Sequence, residues 1–128
     1  MLGSTLVRRL LAAIDLVIVL LFVAIGRSVH DHGVRVGGMI STTWPFALGL
    51  GAGWILVVAS RRDGTGLRDG VVVTLSTVAV GMVLRVLSGQ GTAAAFIAVA
   101  LGFLGAAMIG WRLALAGLAR IRAARDPG

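Results

Sequence analysis

Leu10 to Ile25 is apolar except for Asp15, and with its flanks it is long enough to cross about 30 Å of hydrocarbon. A polar, glycine-containing connection follows over 26–39, holding Arg27, His30, Asp31, His32 and Arg35. The chain is apolar again from roughly Gly38 to Ser60, interrupted by Ser41-Thr42-Thr43 and Trp44-Pro45-Phe46. After the charged loop Arg61 to Asp69, in which Asp69 is placed to cap the next helix, a third apolar stretch runs from Gly70 to Leu87. The fourth runs from Thr92 to Trp111, and the turn between the last two is so short that they must be antiparallel neighbours. The pattern predicts spans over about 8–27, 38–60, 70–88 and 92–112 and a basic tail over 113–128. The expected fold is all-α, a single integral-membrane four-helix bundle running up-down-up-down. Pro45 stands either in the first turn of the second helix or inside it, where it would free the Ser41 carbonyl for neighbouring hydroxyls or water. The tail fits a short helix on anionic lipid or a solvated basic end equally well.

Composition strengthens the membrane assignment. Of 128 residues 58% are hydrophobic and the mean hydropathy is +1.00, which belongs to integral membrane proteins. With no cysteine, thiol catalysis and disulfides are excluded. All twelve basic residues are arginine, and the net charge is +7. In a soluble chain that charge would point to nucleic acid, but here the arginines flank apolar spans, so a nucleic-acid partner is not expected. Arg8, Arg9, Arg61, Arg62, Arg68, Arg112, Arg120, Arg122 and Arg125 collect on one side, against Arg27, Arg35 and Arg85 on the other. This bias places both termini in the cytoplasm and the protein in the cell (inner) membrane as a multi-pass chain. Arg8-Arg9 before an apolar run also resembles a signal peptide, a reading disfavoured by Asp15 and by the three spans that follow.

Between helices in lipid, small residues four apart permit close backbone approach. Gly49 and Gly53 supply such positions on the second span, and Thr77 and Gly81 on the third. The fourth carries a ladder through Ala94, Ala98, Gly102, Ala106, Gly110 and Ala114. That face serves either packing within the bundle or a homodimer.

Charges inside the spans are the candidate chemistry, since an ionisable group in hydrocarbon faces protein, water or head groups. Arg85 lies in the outer third of its span, at the depth of Thr42, Thr43, Trp44, Thr92 and Phe96, with Arg27 and His30 at the rim. Cations gathered there suggest an anionic ligand, with Trp44 available for a cation–π contact, while the plainer alternative has Arg85 reaching to the head groups. Asp15 sits about 10 Å inside the membrane at 1.5 Å per residue, at the depth of Thr74 and Thr77, and within reach of Arg112. It reads as a hydrogen-bonded structural acid or as a proton-relay residue. His30 and His32 form a weak two-ligand metal pattern, and no metal, haem or other cofactor is expected. No catalytic motif stands out. Only Ser28 or Ser41 beside His30 offers a hydroxyl near a base, so an enzyme is the least favoured class. The favoured function is a binding or partner module whose outer-leaflet cationic pocket takes an anionic lipid or lipid-like ligand, or meets another membrane subunit. The alternative is a small homo-oligomeric transporter using Asp15 and Arg85.

The segments "DLVIVLLFVAIGRSVH" (15–30), "TWPF" (43–46) and "RVLSGQGTAAAF" (85–96), with Gly110-Trp111-Arg112, resemble the small prokaryotic membrane proteins of domain-of-unknown-function family 3054. The likeness covers about Leu10 to Arg112. The shared motifs fall on Gly26, Arg27, His30, Thr43, Trp44, Pro45, Phe46, Arg85, Gly91, Thr92, Phe96, Trp111 and Arg112. The resemblance implies four spans and a membrane location. It supplies no activity.

Overall fold

The computed structural model describes residues 2–29 and 35–125, with side chains over 5–28 and 35–125. Four helices make up this part of the chain: α1 (Leu2–Val29), α2 (Val36–Ala59), α3 (Leu67–Leu87) and α4 (Ala94–Arg125). Each is long and apolar enough to cross a membrane, and together they form the four-helix bundle of a multi-pass membrane protein. Neighbours in chain order pack antiparallel and α4 closes against α1, while the diagonal helices α2 and α4 meet through side chains such as Phe46 and Phe96. We call the end that carries the α2–α3 loop and both termini the loop end, and the opposite one the hairpin end.

The α2–α3 seam is the closest in the bundle because two glycines allow backbones to meet. A Cβ at Gly49 would come within 2.7–2.9 Å of the Thr77 and Ser76 backbone, and one at Gly53 within 3.0 Å of the Val73 Cα. Ser76 Oγ donates to the Gly49 carbonyl at 2.8 Å across the same seam. Gly81 is the counterpart on α3, with the Phe46 ring lying over it.

The core has two storeys. Toward the hairpin end, Phe22, Phe46, Phe96 and Phe103 form one cluster from α1, α2 and α4, with ring centroids 5.6–6.1 Å apart. Toward the loop end, the core is polar and centres on Asp15 and Arg112, both inaccessible to solvent.

Several expected boundaries move. Pro45 lies buried well inside α2, which begins at Val36, and the Ser41 carbonyl it frees accepts a hydrogen bond from Gln90 Nε2 at 3.3 Å. The α3–α4 turn is thereby pinned to the proline gap of α2. Helix α3 starts earlier than Gly70, with Gly66 at its N-cap, so Asp69 falls in the first turn and accepts bonds from Arg62 and Gly64 instead of capping. Past Trp111, α4 continues unbroken to Arg125, since alanine, leucine and arginine are strong helix formers and only Gly117 and Ile121 interrupt them.

The small-residue ladder of α4 points away from its own bundle. Ala94, Ala98, Gly102 and Ala106 are exposed and Gly110 half-buried, with nothing within 4 Å of a Cβ placed at Gly102 or Gly110. The inward stripe is Ala100, Leu104, Met108 and Arg112. It is offset from the ladder by two residues, or about 200° of helical rotation, hence nearly opposite. Arg112 belongs to this stripe and must meet Asp15, which orients the whole helix.

Candidate functional site

Asp15 and Arg112 form a two-pronged pair, with Nη2 to Oδ2 at 2.8 Å and Nη1 to Oδ1 at 3.1 Å. Two indoles complete the carboxylate's shell: Trp54 Nε1 donates to Oδ2 at 3.0 Å and Trp111 Nε1 to Oδ1 at 2.9 Å. Each carboxylate oxygen has two acceptor positions, so all four are filled. Each guanidinium nitrogen has a partner in turn. Its Nε donates to the Gly64 carbonyl at 2.7 Å, Nη1 also donates to the Met108 carbonyl at 2.9 Å, and its plane lies 4.3 Å from the Trp111 ring centroid. Helices α1, α2 and α4 and the α2–α3 loop thus converge on one ion pair.

Local sequence explains how each partner arrives. Gly64 has a positive φ of 90° and lies under the Trp54 ring, where no side chain could stand, so the loop folds back far enough for its carbonyl to reach Arg112. Gly70, in the first turns of α3, leaves room for the Arg112 stem, since a Cβ there would come 2.9 Å from Cδ. Asp69 is also buried and holds the loop from within, accepting from Arg62 Nε and from the Gly64 amide at 3.1 Å. Gly64 therefore joins two ion pairs, its N–H to Asp69 and its carbonyl to Arg112. Nearby, Asp63 accepts from the Thr65 amide and hydroxyl, and these bonds, the amide first, hold its pKa below the ordinary carboxylate value.

At the hairpin end, Arg85 is half-buried and turned onto its own connection. Its Nε donates to the Gly91 carbonyl at 2.9 Å and Nη1 to Gln90 Oε1 at 3.0 Å, with the guanidinium 4.7 Å from the Phe96 centroid. The aromatic partner is therefore Phe96, while Trp44 is 37% exposed on α2. Gln90 reaches onward to the Ser41 carbonyl, and Arg27 Nη1 donates to Thr42 Oγ1 at 3.0 Å. The shells of Arg85 and Arg27 thus end on consecutive residues of one helical turn. Next to them the Thr43 hydroxyl is buried with no hydrogen-bond partner. Thr92 stands half-buried in the α3–α4 connection.

The geometry thus brings Arg27, Thr43, Arg85 and Phe96 to one end of the bundle, with Thr92 in the connecting segment. His30, Asp31 and His32 lie outside the described residues, and with them the His-x-His metal pattern and a hydroxyl–His30 pair. Among the described residues no group of three or more His, Asp or Glu side chains could hold a metal ion. An open apolar groove of about 380 Å³, lined by Gly51, Trp54, Ile55, Val58 and Ala59, lies on α2 toward the loop end, away from Arg85.

Sequence reasoning reached Asp15 and Arg112 as neighbours but missed Trp54 and Gly64. Depth was the available signal for the tryptophan. Trp54 lies about 9 Å before Ser60 at 1.5 Å per residue, matching the depth of Asp15, and its indole is a donor in search of an acceptor. For Gly64 no such signal exists, because a loop glycine gives no sign of what folds over it.

A family model described as "Protein of unknown function (DUF3054)" matches residues 12–115. No curated protein and no solved structure matches the chain. The matched span contains Asp15, Trp54, Arg85, Trp111 and Arg112, hence both arginine centres and the helices that position them. The chain belongs to this family of proteins of unknown function, DUF3054.

Proposed function

We propose that the protein is a membrane-embedded binding module whose hairpin end engages the phosphate or carboxylate of an anionic lipid or lipid-like ligand. The observation that carries this reading is Arg85. Its hydrogen bonds go to neutral acceptors and its face rests on Phe96, so its orientation is set while no described carboxylate offsets its charge. A preorganised guanidinium of this kind binds an anion with little further loss of rotamer freedom. Arg27 donates into the turn of α2 that also holds Thr43 and Trp44, and with Thr92 of the connection these residues are the proposed further contacts, His30 lying beyond them in sequence. If the arginine bias sets orientation, this end is extracytoplasmic and the ligand belongs to the outer leaflet.

Native mass spectrometry of the detergent-purified protein tests the reading. The wild type should carry at least one more lipid-sized anionic adduct than Arg85→Gln, and equal adducts on both would refute it. Orientation is checked separately with an impermeant maleimide on single-cysteine variants in intact cells. Labelling at Ser28 and Ser88 but not at Ser60 or Ala123 supports the outer-leaflet assignment, and the reverse pattern moves the site to the cytoplasmic leaflet.

A second copy or another membrane subunit remains the partner reading for α4, whose small-residue face is left open by the bundle. Cysteines at Gly102 and Ala106 that fail to cross-link in lipid would exclude the homodimer.

A further inference from the structure

We propose that the projecting ends of α1 and α4 form an arginine collar that binds the phosphates of anionic phospholipids at the loop end, a surface independent of the Arg85 site. The layer of Asp15, Gly64, Gly70 and Arg112 is where α1, α3, α4 and the α2–α3 loop meet. Beyond it α2 and α3 soon stop, whereas α1 runs back from Ile14 to Leu2 and α4 runs on from Leu113 to Arg125, about 20 Å each.

Matching the hydrocarbon to α3, which is about 31 Å long, puts the apolar boundary near Leu67, roughly 5 Å past Gly70. On the same scale Arg9 and Arg8 stand about 9 and 10 Å past Asp15, and Arg120 about 12 Å past Arg112. These three guanidinium stems therefore share one level, in the head-group zone, with Arg122 and Arg125 beyond.

Three observations point to anionic lipid as the occupant. The ion pairs among the described residues are Arg62–Asp69 and Arg112–Asp15, so no described carboxylate is in contact with the collar arginines. Its charge repels a second copy and attracts phosphate. Arg8 Nε has no hydrogen-bond partner, so no bond at that atom ties the guanidinium to the bundle. Finally, Leu6, Leu10, Leu118 and Ile121 are 45–58% exposed on the same two ends, and mixed apolar and basic side chains suit the boundary between acyl chains and head groups.

The test uses the full chain reconstituted in phosphatidylcholine vesicles containing a minor fraction of phosphatidylglycerol, then re-extracted gently with its bound lipid quantified. The wild type should retain phosphatidylglycerol several-fold above its share of the vesicle. In an Arg85→Gln background, which removes the hairpin-end site from the readout, Arg8→Gln with Arg9→Gln and Arg120→Gln should reduce that enrichment by at least about fivefold, while lysine at the same positions should keep it. Tryptophan emission, two of whose three sources are Trp54 and Trp111 at the buried centre, reports whether each variant has kept it. Should the glutamine variant not fold, the wild type decides: enrichment must fall steeply with added salt. Retained lipid that mirrors the vesicle, salt-independent enrichment, or a folded glutamine variant that still enriches phosphatidylglycerol would each overturn the proposal. So would a collar-dependent dimer without lipid enrichment.

Discussion

Asp15 and Arg112 stand at opposite ends of the sequence and meet in parallel hydrogen bonds of 2.8 and 3.1 Å, neither side chain accessible to solvent. Charges removed from water are held by geometry, and here the guanidinium, two indoles and two carbonyls complete the shell. Removing one partner leaves the other charge buried and uncompensated. Asp15→Asn or Arg112→Met should each destabilise the folded bundle by about 3–5 kcal/mol. The double variant should lose much less than the sum of the two, because neither charge is then stranded. Thermal unfolding in detergent followed by tryptophan emission gives all corners of the cycle, and additive losses would show that the pair does not act as a unit.

The α2–α3 seam and the outer face of α4 make opposite predictions for the same substitution. Gly49→Ala drives a methyl group against the Thr77 and Ser76 backbone, which cannot give way as a side chain tip would, and should lower stability by about 1–3 kcal/mol. Gly102→Ala meets nothing within 4 Å and should change stability by about 0.5 kcal/mol or less in monomeric protein. Comparing midpoints of unfolding in one detergent checks both.

Two helices end in the same manner with different residues in the left-handed position. After α3, Gly89 has φ 79° and Gln90 N–H reaches back to the Arg85 carbonyl; after α2, Arg61 has φ 60° and Arg62 N–H reaches the Val57 carbonyl. A side chain in that conformation is strained, so Arg61→Gly should raise stability by about 1 kcal/mol. Gly64→Ala should do the reverse and more strongly, about 2 kcal/mol, because φ is 90° and the Trp54 ring fills the space. Chemical denaturation separates the two signs.

Gln90 and Pro45 are coupled through one carbonyl. Gln90→Ala strips the Ser41 oxygen of its donor and should lower stability by about 1 kcal/mol. In a Pro45→Ala background the backbone N–H of residue 45 supplies that bond, so the glutamine should matter less. Equal effects of Gln90→Ala in both backgrounds would dissociate the pair.

The sequence alone determined that there are four spans, because hydrocarbon demands about 20 apolar residues per crossing and the chain supplies four such runs between polar breaks. It also pointed to Gly49 and Gly53 as places where backbones can approach, while Gly81 instead makes room for the Phe46 ring, and it placed Asp15 and Arg112 within reach of one another in depth. These are one-dimensional properties of composition and rise per residue. Rotation of a helix about its axis is not: an apolar span surrounded by lipid gives little sign of which face turns inward. On α4 two i, i+4 stripes competed, the small-residue ladder and the stripe ending at Arg112. Tertiary structure decided for the second, because a buried carboxylate on α1 must find its cation. The same decision made Arg112 a core residue, its charge compensated by Asp15, and left Arg85 to settle on Gly91, Gln90 and Phe96 of its own turn. Contacts such as Gln90 to Ser41 and Gly64 to Arg112 arise only once helices and loops meet, which no periodicity along the chain encodes.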